Sequence, residues 1–137
     1  MAESGQVKRV PDGQKSPQVQ AHPLPGIGSL TVVPNLQNDM HDGTIEQADT
    51  WLKSHIDSYV TWAKTNKSLL IVTWDEDDKS SANQIPTIFV GPMVKAGRSS
   101  VKANHYNVLR TFEAMYSLAL VGNSAKSAPI TNIWQIR

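Results

Sequence analysis

Residues 68–78 read Ser68-Leu69-Leu70-Ile71-Val72-Thr73-Trp74-Asp75-Glu76-Asp77-Asp78. The first seven form a nearly continuous apolar run, and the four acids end it abruptly. A strand with apolar residues on both faces suits a parallel sheet covered by helices on each side. In open sheets of that kind, ligands gather beyond the carboxyl ends of the strands. Asp75 and Glu76 stand at that end, where two adjacent carboxylates can bind a divalent cation through oxygen. The same spacing also fits a solvated acidic loop, with Lys79 following.

The elements on either side support an α/β reading. Upstream, Ser29 to Val33 is a short β-branched run stopped by Pro34, which reads as a buried strand. After a polar stretch from Asn35 to Gly43, Thr44 and Gln47 make a capping-box spacing, with Glu46 in the first turn. Ile45, Ala48, Leu52, Ile56, Tyr59 and Ala63 then recur at steps of three and four, so a helix is expected to end between Lys64 and Asn66. Downstream, Pro86 to Val90 is a third strand closed by Gly91-Pro92. A second helix is expected from Tyr106 to Leu120, with Val108, Phe112, Met115 and Ala119 on one face and Gly122 as its terminal glycine. Three strands and two helices make a thin sheet whose outer strands need more neighbours. Residues 1–28, rich in Gln, Pro, Gly and Ser, read as a loose N-terminal arm, leaving 29–137 as the ordered part.

Composition limits the remaining classes. The chain has 137 residues, 39% of them hydrophobic, which suffices for one modest domain. It has no cysteine, so disulfides and thiolate ligands are excluded. The net charge of +1 gives no pointer to a nucleic-acid or membrane partner, and no apolar run approaches the ~20 residues of a membrane span. No apolar stretch follows the first charges, so no signal peptide is visible.

Two more segments can carry chemistry. Asn35 to Gly43 follows a strand and offers amides, Asp39, Asp42 and His41, which can act as general acid, phosphate-oxygen donor or metal ligand. On local grounds it reads first as an Asx-rich turn, since Asn, Asp and Gly favour turns. Asn104-His105-Tyr106 precedes the second helix, where free N–H groups favour anions; capping by Asn104, with His105 an ordinary surface residue, is the other reading. His55 and His22 read as structural or solvent-facing, and the four tryptophans as packing groups. There is no glycine-rich phosphate loop, nucleophile elbow or pair of histidines at helical ligand spacing.

Taken in order, VPNLQNDMHDG (33–43), ADTWL (48–52), SLLIVTWDEDD (68–78), NQIPTIFVGPMVKAG (83–97) and NHYNVLRTFEAMYSL (104–118) resemble the C-terminal half of a phosphoesterase family. That family includes acid phosphatases and phosphocholine-type phospholipases C, within the alkaline phosphatase superfamily. The resemblance runs from about Leu30 to Trp134. It implies an alkaline-phosphatase-like parallel sheet and hydrolysis of phosphate monoesters or phosphodiesters. It assigns Asp75 and Glu76 to a divalent metal whose identity stays open. It makes His41, His105 and Asp42 catalytic, and His41, His105 and Asp39 substrate-binding. Asp49 matches a family aspartate, with Ala48 where the family has glycine.

Relatives also have an N-terminal half with a Glu-Asn metal pair and a Ser or Thr nucleophile. Residues 1–28 show no counterpart, and neither Ser16 nor Ser29 sits in a nucleophile setting. The resemblance therefore implies a missing half or partner chain. Family members are often exported, which leaves localisation open. Two alternatives remain: a catalytically inactive binding or interaction module, and a small α/β protein whose acidic loops hold a cation.

Overall fold

The computed structural model describes residues 29–135 together with the strand Gln6–Arg9. The order is β1 (Gln6–Arg9), β2 (Leu30–Val33), α1 (Ile45–Ala63), β3 (Leu70–Thr73), β4 (Thr87–Val90), α2 (His105–Tyr116) and a 3-10 helix, Gly122–Lys126. The fold is mixed helix and strand. Strand β1 falls within the stretch read as an arm, and the rest of that stretch, His22 and Ser16 included, lies outside the described residues.

The strands form two separate pairs, which departs from the expected parallel sheet. β1 and β2 run parallel, with Gln6 opposite Leu30 and Arg9 opposite Val33. β3 and β4 run antiparallel, with Leu70 opposite Val90 and Thr73 opposite Thr87. The reason lies in the connection. A parallel pair needs a crossover, usually a helix, whereas Trp74 to Pro86 is a run of turns that sends the chain straight back. The two threonine hydroxyls meet across the pair at 2.9 Å. Leu70, Ile71 and Val72 are only half-buried because, among the described residues, β3 has β4 as its one strand neighbour.

Helix α1 carries the core. Its capping box forms as the spacing requires: Gln47 N–H donates to Thr44 Oγ1 at 3.1 Å, and Thr44 N–H donates to Gln47 Oε1 at 3.4 Å. Ala48, Trp51, Ile56 and Ala63 are buried, whereas Ile45, at the start of the expected face, is 77% exposed. Burying Ile56 contributes about 2 kcal/mol. Tyr59 Oη and Ser68 Oγ, 2.7 Å apart, tie the helix to the lead-in of β3.

Helix α2 starts at His105 and stops at Tyr116, short of the expected Leu120. Ser117 takes the left-handed cap position at φ 54°, so Gly122 (φ 55°) opens the 3-10 helix instead. The expected apolar face is not the buried one: Thr111 and Glu113 are buried while Met115 is exposed.

The C-terminal segment straps these pieces together. Lys95 N–H donates to Ile133 O at 2.7 Å and Gln135 N–H to Met93 O at 2.8 Å. Trp134 meets Phe89 edge-on at 6.0 Å. Ile130 N–H donates to Thr111 Oγ1, and Asn107 Nδ2 to Ala128 O, which fixes α2 against the segment.

Candidate active site

The loop from Asn35 to Gly43 folds back on itself. Asp42 N–H donates to Leu36 O at 2.8 Å, while Asn38 and Asp39 N–H both donate to Asn35 O. Gly43 makes this possible, because a Cβ there would lie 1.8 Å from Gln37 O. Asp39 Oδ1 accepts from His41 N–H at 2.9 Å, an Asx turn that spans Met40. Met40 sits at φ 78°, unusual for a residue with a side chain, and such strain concentrates at functional loops. Asp39 therefore shapes the loop through the backbone.

His41 projects from this turn with its side chain 66% exposed, and its Nδ1 lies 3.1 Å from Asp42 Oδ1. The hydrogen bond to Asp42 raises the His41 pKa, and the charges of Asp42, Asp39 and Glu76 add to the effect. With Nδ1–H held by Asp42, the outward Nε2 is the atom free to exchange a proton or donate to an anion.

Glu76 comes from the acidic loop after β3, and the tetrad there splits in two. Asp77 accepts from the N–H groups of Lys79, Ser81 and Asn83, and Asp78 from the N–H and hydroxyl of Ser80. The Lys79 bond leads in holding Asp77 below the usual carboxylate range, and the Ser80 hydroxyl does so for Asp78. Those two carboxylates are turn anchors. The side chains of Asp75 and Glu76 are exposed and, among the described residues, have no hydrogen-bond partner.

The third segment is the start of α2. Asn104 Oδ1 accepts from Tyr106 and Asn107 N–H, and Asn107 Oδ1 accepts from Asn104 N–H, so capping uses amides that an anion could otherwise take. His105 reaches across to the acidic loop, its Nε2 2.9 Å from the Asp75 carbonyl oxygen. A carbonyl only accepts, so Nε2 carries the proton and Nδ1 is left for a ligand. His105 is thus tied to the acidic loop, and the charge of Glu76 adds to the raised pKa of His41, while among the described residues no hydrogen bond joins the His41–Asp42 pair to His105. Asp49 sits on α1, with no tie to this cluster among the described residues.

The donor set does not by itself make a metal centre: among the described residues no three His, Asp or Glu side chains converge on one point. An open cleft of about 540 Å³ runs beside the His41 loop, bounded by Asn38 and by Glu46, Thr50 and Ser54 of α1. His55 stacks on Trp51 at 4.6 Å and its Nδ1 lies 2.8 Å from Trp51 O, which is a structural role.

The phosphoesterase family model matches residues 16–119, most of the chain. The chain belongs to the phosphoesterase family. This phosphoesterase chain is 53% identical over 111 residues to a phosphatidylinositol-3-phosphatase of Mycobacterium tuberculosis (strain ATCC 25618 / H37Rv). The match covers 80% of the phosphoesterase chain and 37% of that protein, so the chain spans well under half of its relative's length. No solved structure matches it.

Among the described residues, no helix is long and apolar enough to cross a membrane. The split role of the acidic tetrad was not legible in spacing alone. The signal for it was present: Asp77 and Asp78 are followed by Ser80, Ser81 and Asn83, residues that favour tight Asx-type turns.

Proposed function

We propose that this chain carries the proton-donating, phosphate-facing part of a phosphate-monoester hydrolase. The observations that support it are the pairing of His41 with Asp42 and the seating of His105 against the acidic loop at the Asp75 carbonyl. A phosphatase among its relatives favours monoesters over diesters.

The chemistry follows from the protonation states. His41, kept cationic to higher pH by Asp42, donates through Nε2 to a non-bridging phosphoryl oxygen or to the departing alkoxide. His105, oriented by the Asp75 carbonyl, presents Nδ1 to the same group. A divalent cation, when bound, would polarise the phosphoryl group. Asp75 and Glu76 would supply two of its oxygen ligands, and a further segment or partner chain would supply the other donors and the nucleophile.

The test is inorganic phosphate binding to the chain, followed by calorimetry and by histidine NMR signals. Binding that shifts both His41 and His105 signals, and weakens at least tenfold in His41→Ala and in His105→Ala, is expected. Binding unchanged in both variants would remove the assignment.

A further inference from the structure

The near-neutral net charge conceals a strong segregation. Up to Asp78 the sequence has eleven acids and six Lys and Arg; from Lys79 onward it has seven Lys and Arg and one acid, Glu113. That acid is 2% exposed, with Oε1 accepting from Ser124 Oγ at 2.7 Å and from Val121 N–H at 2.9 Å. Between Lys79 and Gln135 the surface therefore carries no acid at all. Lys95, Arg98 and Lys102 are exposed, and among the described residues none forms an ion pair.

An apolar side chain shares this surface. Val101, between Arg98 and Lys102, is 60% exposed. The Lys95–Ala103 loop is pinned at its middle, where Asn132 Nδ2 donates to Ser99 Oγ at 2.6 Å, and it leads directly into Asn104 and His105. A small cleft of about 100 Å³ between Lys95, Arg98, Ser99 and Asn132 opens on it.

We infer that the Lys95–Ala103 loop is a docking surface for anionic lipid, which sets a headgroup before His105. Cations interleaved with exposed apolar residues match the charged headgroups and the acyl boundary of a bilayer. A nucleic acid would use the cations but gain nothing from Val101. The surface is argued from charge and exposure; its link to catalysis rests on the phosphatase reading above.

The experiment is co-sedimentation of the chain with vesicles of phosphatidylcholine alone, or with about 30% phosphatidylserine, both free of phosphate monoester. Binding is expected only to the anionic vesicles, and should fall steeply as salt is raised. Arg98→Glu/Lys102→Glu should weaken it about tenfold or more, and Val101→Asp should also weaken it. Lys53→Glu/Lys64→Glu, on α1 and at its C-terminal cap, should leave it unchanged, as should His41→Ala, so failure here is separable from failure of the phosphate site. Equal binding to both vesicle types, equal loss in the α1 variant, or full competition by a single-stranded oligonucleotide would overturn the inference.

Discussion

His41 and Asp42 are neighbours in sequence, and their hydrogen bond sets the protonation of the candidate acid. The raised pKa means this pair's stabilising effect is complete below the ordinary histidine value of 6.5 and is lost as pH rises through the folded value. Asp42→Asn should bring the His41 titration, followed by NMR, back toward its ordinary value and move the upper pH limit of phosphate binding down with it. Glu113 is a second informative residue. Its carboxylate holds Val121 N–H and Ser124 Oγ, while its Oε2 is buried without a partner. Glu113→Ala should cost about 1–2 kcal/mol in a denaturant melt, since Ser124 still bonds the Val121 carbonyl.

At the scale of elements, α1 and the loop before it can be separated by mutation. Thr44→Ala removes the cap and should lower stability by about 1 kcal/mol, read as a lower melting temperature. Gly43→Ala cannot be accommodated while Gln37 O stays in place, so the loop must open. Helix content by circular dichroism should persist in that variant while phosphate binding falls. The capping box of α1 was legible because its signals are local: Thr44, Gln47 and the first apolar residues lie within one turn. The end of α2 was not, because Ser117 takes a left-handed conformation that its residue type does not announce.

For the whole molecule, the described core is small and confined to α1, and large apolar residues such as Leu109, Leu118 and Val121 stay exposed. Two carboxylates without further donors hold a metal weakly. Magnesium or manganese should therefore raise the melting temperature of the chain only at millimolar concentration, and Asp75→Asn/Glu76→Gln should abolish that rise. The segregation of charge also belongs to this scale. It can be read in the order of residues, yet the net charge hides it, and the burial of Glu113 removes the one acid of residues 79–135 from the surface.

The sequence by itself determined the strands and helices between Leu30 and Tyr116, the cap that starts α1, and the family, because periodicity, capping and motif order depend on neighbouring residues; it gave no sign of β1 and ran α2 on to Leu120. It also named His41, Asp42, Asp75, Glu76 and His105 as candidates. The tertiary structure decided which strands pair and in what sense, since the turns between Trp74 and Pro86 carry the chain back antiparallel. It alone decided that His105 meets the Asp75 carbonyl. That contact joins residues thirty positions apart, and nothing in local composition specifies a distance across a fold.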